Sequence, residues 1–297
     1  MTEAAAASSR LERLVEFAPA KVNLYLHVTG RRPDGYHLLD SLIVFAAIGD
    51  NLEFDPSPAL HLAINGPHAA SLGVGPGNLV VKAAQLLADA AGSAGKGATI
   101  TLDKRLPVSA GIGGGSADAA ATLRGLSRLW RLDDPFPRIA GLAGRLGADV
   151  PVCLAGKPAV VGGIGEILTP APPLPPFWLL LVNPGFGLAT ADVFRARAGA
   201  FSVADPLTAP PADAAALAAA LASRRNDLTE AAIDLVPEIR LVLSKIADQP
   251  GCLIARMSGS GATCFGLFAE ERPARQAAGS LAGANPRWWV AAAPNLA

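Results

Sequence analysis

Pro107-Val108-Ser109-Ala110-Gly111-Ile112-Gly113-Gly114-Gly115-Ser116-Ala117-Asp118-Ala119-Ala120 runs a glycine cluster straight into a helical pattern. Beyond it the apolar residues Ala120, Leu123, Leu126 and Trp130 fall at helical spacing. Glycine lets a backbone take positive φ and come close to a ligand's oxygens. A helix N-terminus offers unpaired N–H groups and partial positive charge, so the stretch reads as a phosphate cradle. The alternative is a flexible turn joining two elements, and the abrupt entry into a helix weighs against it. Ser116 is expected to cap the helix, with its hydroxyl free to face a phosphate or a metal. Two familiar spellings fail. No Gly-Lys-Ser/Thr ends the run, and the Gly-Lys pairs 95–96 and 156–157 are followed by Gly97 and Pro158. A dinucleotide fingerprint needs a third Gly where Ser116 stands.

The rest of the composition narrows the class. The 297 residues are 51% hydrophobic and 17% charged, enough for one large or two medium buried cores. Lys+Arg 25 against Asp+Glu 25 leaves no net charge, which weighs against a general nucleic-acid or membrane-surface binder and leaves room for a local basic site for a phosphorylated ligand. Cys153, Cys252 and Cys264 show no C-x-x-C spacing, so reduced thiols in a cytoplasmic protein are expected rather than a disulfide frame or a zinc site. No apolar run reaches membrane-spanning length. Met1 to Arg13 lacks the apolar core of a signal peptide and is expected to be disordered.

Working outward from the cradle, Ala98 to Leu102 reads as the strand that feeds it through Lys104-Arg105-Leu106. Asn78 precedes a helical stripe of Leu79, Val80, Ala83, Leu86 and Leu87 and is a natural N-cap. Leu14 to Val28 alternates as a strand, with Val22, Leu24, Leu26 and Val28 on one face and Lys21, Asn23, Tyr25 and His27 on the other. So polar a face is either exposed to solvent or lines a site. Asp134-Pro135 opens a helix that Gly147 stops. The Gly/Pro-rich stretch 156–176 reads as an inter-domain passage. After it come a strand at Phe177 to Val182, helices at Ala212 to Ser223 and Asp227 to Ala247 (the second interrupted by Pro237), the small-residue turn Met257 to Ala262, and a final strand at Trp288 to Val290. The pattern predicts an α+β protein of two lobes, residues 1–164 and 165–297.

Four segments, taken in order, carry a family resemblance. They are Pro19-Ala20-Lys21-Val22-Asn23-Leu24 with Gly30-Arg31-Arg32-Pro33-Asp34-Gly35-Tyr36-His37; the glycine loop; Gly147-Ala148-Asp149-Val150-Pro151; and Met257-Ser258-Gly259-Ser260-Gly261-Ala262. Together, over about 17–268, they resemble the GHMP small-molecule kinases. Within that superfamily they are most similar to the branch acting on a cytidine-diphosphate-linked methylerythritol in the non-mevalonate isoprenoid route. The resemblance implies two α+β lobes with the active site in the cleft between them, and transfer of the ATP γ-phosphoryl to a 2-hydroxyl. It also leaves open another alcohol acceptor, or a catalytically inactive sensor of the same fold. Ile112 stands where the family often has Leu, Ala117 replaces a second Ser, and the segment around Phe186 departs most.

The resemblance assigns roles that the chemistry supports. Asp149 is the general base for the acceptor alcohol, although its position after Gly147 also suits a helix cap. Lys21 is its partner, since an ammonium there eases loss of the hydroxyl proton and offsets charge on the moving phosphoryl. Asn23 orders that pair or binds the acceptor. Pro107, Val108, Ser109, Ala110, Gly111, Ile112, Gly113, Gly114, Gly115 and Ser116 wrap the ATP phosphates, while Asn78 and Lys104 lie toward adenine. Tyr36 and Phe186 sandwich the cytosine, His37 meets its polar edge, and Thr190 touches the substrate diphosphate. The Ser258 to Gly261 turn closes over the phosphates or braces the loop. Mg²⁺ is expected with ATP, and no side-chain ligand set for it stands out. No nucleic-acid or membrane partner is expected, and the chain is expected to be a monomer or weak dimer.

Overall fold

The alternating stretch near the start of the chain sets the frame. The computed structural model describes residues 14–92, 97–132 and 135–296. The expected disorder of residues 1–13 and the capping role of Asp134 lie outside the described residues. Strand β1 (Leu14–Arg31) turns through 32–36 and pairs antiparallel with β2 (His37–Ser57) along nearly its whole length. Its polar face is not a solvent face: Lys21, Asn23, Tyr25 and His27 are all buried. The reason is that β1 runs between the lobes. Val22 and Leu24 pack with Phe177, Leu181 and Phe265 of the second lobe, while Leu26 and Val28 join the core beneath its helices. A register shift between Asn23 and Tyr25 marks a bulge, and the Leu24 carbonyl there accepts a hydrogen bond from Arg256 Nη1 at 2.7 Å.

The first lobe continues with β3 (Leu60–Asn65), α1 (Leu79–Ala90), β4 (Gly97–Asp103), α2 (Gly114–Leu129), α3 (Pro135–Leu146), α4 (Val150–Ala155), β5 (Ala159–Gly162) and β6 (Ile167–Pro170). Strands β4 and β5 both pair antiparallel with β2, while β3 runs parallel to β4. The apolar stripes read from the sequence face this sheet. Val80, Ala83 and Leu87 of α1 and Ala120, Leu123 and Leu126 of α2 share a core with Phe45, Phe54 and Leu102. Each of these Val, Leu and Phe side chains stabilises the fold by about 1.5–3 kcal/mol. Asn78 caps α1 as expected, accepting from the Val80 N–H at 2.9 Å. The division expected between residues 164 and 165 falls inside the β5–β6 hairpin, where Ala159 pairs with Pro170 and Gly162 with Ile167. Because β6 is bonded to β5 and β5 to β2, the hairpin belongs to the first lobe, and the chain passes out of it only after Pro170.

The second lobe comprises β7 (Trp178–Asn183), α5 (Thr190–Ala196), α6 (Ala214–Ala222), α7 (Thr229–Leu235), α8 (Glu238–Ala247), β8 (Ile254–Met257), β9 (Cys264–Phe268), α9 (Glu271–Ala284) and β10 (Trp289–Leu296). Pro237 separates α7 from α8, as its missing N–H and fixed φ require. The strands stand in the order β10-β7-β9-β8, all antiparallel. The end of β10 crosses back: Asn295 and Leu296 pair with Ala46 and Phe45 of β2. The two lobes therefore share one continuous sheet path, with β1 along the seam.

Candidate active site

The glycine loop is held at both ends by one buried ion cluster. Lys104, just past β4, places Nζ 2.6 Å from Asp50 Oδ2 and 2.6 Å from Asp118 Oδ2. The other oxygen of Asp50 accepts from the N–H groups of Arg105 and Leu106, which lead into the loop, and Asp118 sits in the first turns of α2, which leads out of it. Burial alone would pull the Lys104 ammonium down, but the charges of Asp118 and Asp50 win and raise it. For Asp118 burial dominates and pushes the carboxyl up to about 7, with Lys104 opposing and Asp50 adding; its Oδ1 has no hydrogen-bond partner. Lys104 lines the cavity wall, but its ammonium is 1% exposed and bound to two carboxylates. The adenine-facing side chain read from the sequence is thus a brace.

The loop is also pinned from the second lobe. Gly111 has φ +75°, and a Cβ on it would lie 2.5 Å from the Ser258 carbonyl oxygen. Ser258 Oγ donates to the Gly111 carbonyl at 3.0 Å and accepts from the Asn23 N–H at 3.1 Å, while the Thr263 N–H donates to the Ala110 carbonyl at 3.1 Å. Of the two roles open to the 258–261 turn, the contacts are those of a brace. The residue at the N-cap of α2 is Gly113, left-handed at φ 63°, so Ser116 lies within the first turn and does not cap. A Cβ at Gly113 would approach Lys21 Cε to 3.0 Å, which explains why glycine stands there. Ser109 also holds a positive φ, 52°, a strained state that its neighbours enforce. Ala110 and Ile112 are buried, and Ile112 meets the site only through its carbonyl, which accepts from the Lys21 N–H at 2.9 Å.

Lys21 and Asp149 come together across this loop. Lys21 Nζ is 2.9 Å from Asp149 Oδ2 and donates to Asn23 Oδ1 at 2.9 Å. Lys21 is buried, whereas the Asp149 side chain keeps 42% exposure and so can meet a ligand in the cleft. Asp149 does occupy the N-cap position of α4, but its side chain makes no capping bond. The Asn23 amide is fixed by donating to Ser41 Oγ at 2.8 Å, and that hydroxyl donates to the Tyr25 carbonyl at 2.6 Å. Every hydrogen-bonding group behind the pair is therefore tied to the backbone.

Both groups open on a cavity of about 1070 Å³ that runs between the lobes. Asn78, Pro107, Val108, Ser109, Ala110, Gly111 and residues 113–116 line it, as do Asn23, Tyr36, His37 and Thr190. Tyr36 stands 60% exposed on the 32–36 turn. His37 stacks on Phe194 with ring centroids 5.0 Å apart and planes at 23°. Phe186, the aromatic expected to stack, is solvent-exposed and does not line the cavity. Phe194 does line the cavity, because α5 carries it to the wall one turn beyond Thr190, whose hydroxyl is 3.0 Å from Ser260 Oγ. Residues four apart on a helix share a face, so the Thr190–Phe194 spacing was the signal available in the sequence. The His37 pKa lies below its ordinary 6.5 through burial first, then through the charges of Arg31 and Arg197. Those two arginines, Ser41 and Asp118 are wall residues that the sequence did not single out. Among the described residues no three His, Cys, Asp or Glu side chains converge as a metal site, and no helix is long and apolar enough to cross a membrane.

Comparison with known proteins identifies the family. Residues 78–157 match the family model for the N-terminal domain of GHMP kinases, and residues 211–286 match the model for the C-terminal region. The chain is 61% identical to the 4-diphosphocytidyl-2-C-methyl-D-erythritol kinase of Paramagnetospirillum magneticum over 279 residues, covering 94% of this chain and 97% of the relative. It is 56% identical to the protein of the same name from Cereibacter sphaeroides, covering 92% and 96%. A crystal structure of 4-(cytidine 5'-diphospho)-2C-methyl-D-erythritol kinase superposes with a TM-score of 0.77 at 36% identity, covering 95% of this chain and 99% of that one.

Proposed function

This chain belongs to the GHMP kinase family, and from that premise we propose that it phosphorylates the 2-hydroxyl of 4-diphosphocytidyl-2-C-methyl-D-erythritol. ATP supplies the phosphoryl group, and the products are the 2-phosphate and ADP, in the non-mevalonate route to isoprenoid precursors. The protein acts in the cytoplasm as a monomer or weak dimer. The observation that carries the reading is the Lys21–Asp149 contact of 2.9 Å, set beside a glycine loop that ends at a helix N-terminus.

The acceptor oxygen attacks the γ-phosphorus, the bond to the bridging β–γ oxygen breaks, and ADP leaves with that electron pair. The hydroxyl proton passes to the exposed oxygen side of Asp149. Lys21, held by Asn23, offsets the charge that builds on the acceptor and the phosphoryl oxygens. Backbone N–H groups of 109–116 and the α2 terminus hold the ATP phosphates. Mg²⁺ bound with ATP would supply further charge neutralisation, and the Ser116 hydroxyl, which lines the cavity, would hold it. Tyr36, His37 and Phe194 form the cytosine end: two rings offer faces for stacking, and a neutral imidazole offers one donor and one acceptor to the base edge.

The test is a coupled ADP-release assay with the cytidyl substrate against mevalonate, homoserine and galactose. Turnover is expected with the cytidyl substrate alone. Asp149→Asn should lower kcat by about 10²–10⁴-fold, the usual worth of a positioned base, with ATP affinity retained. Near-normal turnover in that variant removes Asp149 as the base. ATP binding without turnover of any alcohol would favour the inactive sensor, a reading that the intact Lys21–Asp149 pair argues against.

A further inference from the structure

Three arginines line the cavity, Arg31, Arg195 and Arg197, and several of the chain's other arginines are held in ion pairs. Arg32 pairs with Asp34 at 2.7 Å, Arg195 with Asp192 at 2.6 Å, Arg224 with Asp205 at 3.0 Å and Arg225 with Asp227 at 2.6 Å. Arg31 and Arg197 have no carboxylate partner among the described residues. Arg31 donates from Nε to the Gly35 carbonyl at 3.2 Å. Arg197 donates to the carbonyls of Gly199 and Ala200 and lies over the Phe201 ring, 5.0 Å from its centroid. Both line the cavity. Arg31 ends β1 in the first lobe, and Arg197 directly follows α5 in the second.

From this juxtaposition we propose that Arg31 and Arg197 form a two-lobed clamp for the diphosphate of the acceptor substrate. The proposal rests on the cytidyl-alcohol reading given above and names the residues that recognise the part of that substrate between base and alcohol. A diphosphate ester brings two negative charges past the His37–Phe194 stack. Two uncompensated guanidinium groups beside that stack are its natural counter-ions, since Arg binds phosphate oxygens through paired N–H donors. Both arginines line the same cavity as His37 and Phe194. Because one arginine belongs to each lobe, a bound diphosphate draws the cleft walls together over the acceptor. Thr190, to which the sequence assigns the diphosphate, then adds a hydroxyl donor at the same point. The Asp192 carboxylate is taken up by Arg195 and leaves the pair unopposed.

The experiment measures cytidine, CMP and CDP as inhibitors competing with the cytidyl substrate, in wild type, Arg31→Gln, Arg197→Lys and Arg31→Gln/Arg197→Gln. In wild type CDP should inhibit at least about tenfold better than cytidine, as one or two charge-assisted hydrogen bonds imply. Arg31→Gln should shrink that preference several-fold, and the double variant should nearly abolish it, with KM for ATP within about twofold of wild type. Arg197→Lys keeps the charge and should retain most of the preference, which separates loss of charge from loss of the 199–200 turn. A CDP preference that survives in the double variant overturns the clamp. So does a loss that appears in KM for ATP instead, because the arginines would then serve the nucleotide donor. If wild type neither binds CDP nor turns over the cytidyl substrate, the functional reading itself fails, a result distinct from the first two.

Discussion

Replacing Asp118 with Asn should stabilise the protein above neutral pH, the opposite of what loss of a buried ion pair does. Asp50 and Asp118 each lie 2.6 Å from the single ammonium of Lys104, so the buried cluster carries one negative charge too many. Asp50 has two backbone N–H donors to offset its share, whereas Asp118 Oδ1 has none. Burial therefore raises the Asp118 carboxyl from 3.8 to about 7, against the pull of Lys104. An acid raised on folding binds its proton more tightly in the native state. Its contribution is full below the unfolded value, declines as pH rises, and is gone above about pH 7, where a buried carboxylate must be tolerated. The bound on this effect is about 4 kcal/mol, and relaxation around the cluster brings the expected gain of Asp118→Asn to about 1–3 kcal/mol at pH 8. Asn keeps an oxygen for Lys104 and has no proton to lose. Thermal unfolding followed from pH 5 to pH 9 should show a variant Tm that exceeds wild type by roughly 3–10 °C at pH 8, with the gap growing between pH 5 and 7 and level above. Lys104→Met is the counter-test: it strands both carboxylates and should cost about 3–5 kcal/mol. A Tm for Asp118→Asn that is lower than wild type by the same amount at every pH would refute the excess-charge argument.

Three further outcomes follow from the cleft. Phe194→Ala should raise KM for the cytidyl substrate by about tenfold, the scale of one lost base stack, while Phe186→Ala leaves it unchanged; steady-state kinetics with ATP saturating decides between them. Burial and the two arginines depress His37, so the imidazole stays neutral through its ordinary 6.5, and KM for the cytidyl substrate should be flat from pH 8 to 6.5 and rise only below it. In Arg31→Gln that rise should begin at higher pH, and an unshifted pH profile would break the link. Gly111→Ala puts a methyl group 2.5 Å from the Ser258 carbonyl at a positive φ, so the loop must move; KM for ATP should increase at least about tenfold and Tm should fall, as titration calorimetry and scanning calorimetry would show.

What the sequence disclosed depended on whether a residue's role was local. The Asn78 cap, the Pro237 break and the stripe of α2 are set by neighbours within a few positions, and they appear in the fold as read. The polar face of β1 was visible too, but its burial was not, because that depends on a second lobe that the chain builds 150 residues later. The β5–β6 hairpin was hidden by its glycines and prolines, which look like a linker until β2 supplies a partner. The resemblance set Lys104 toward adenine, and only the packing of β2 and α2 brings two carboxylates to it. The resemblance called for a stacking Phe and Phe186 in its Gly-rich turn was matched to it, yet a turn fixes no direction for a ring, whereas the helix bearing Thr190 and Phe194 does.

The loop and the catalytic pair are one mechanical unit rather than two sites that happen to meet. The Lys21 N–H is bonded to the Ile112 carbonyl, the Asn23 N–H to Ser258 Oγ, and Ser258 Oγ in turn to the Gly111 carbonyl. A displacement of the loop by a few tenths of an ångström is thus passed to the strand that carries Lys21 and Asn23, and from there to Asp149. Phosphoryl transfer requires the acceptor oxygen, the γ-phosphorus and the leaving oxygen roughly in line, and small misplacements are expensive in rate. A strand that bonds directly to the phosphate loop meets this requirement without relying on side-chain reach. It also explains why the polar residues of β1 are buried: exposed to water, the same lysine and asparagine would keep their chemistry but lose the fixed distance to the loop on which in-line attack depends.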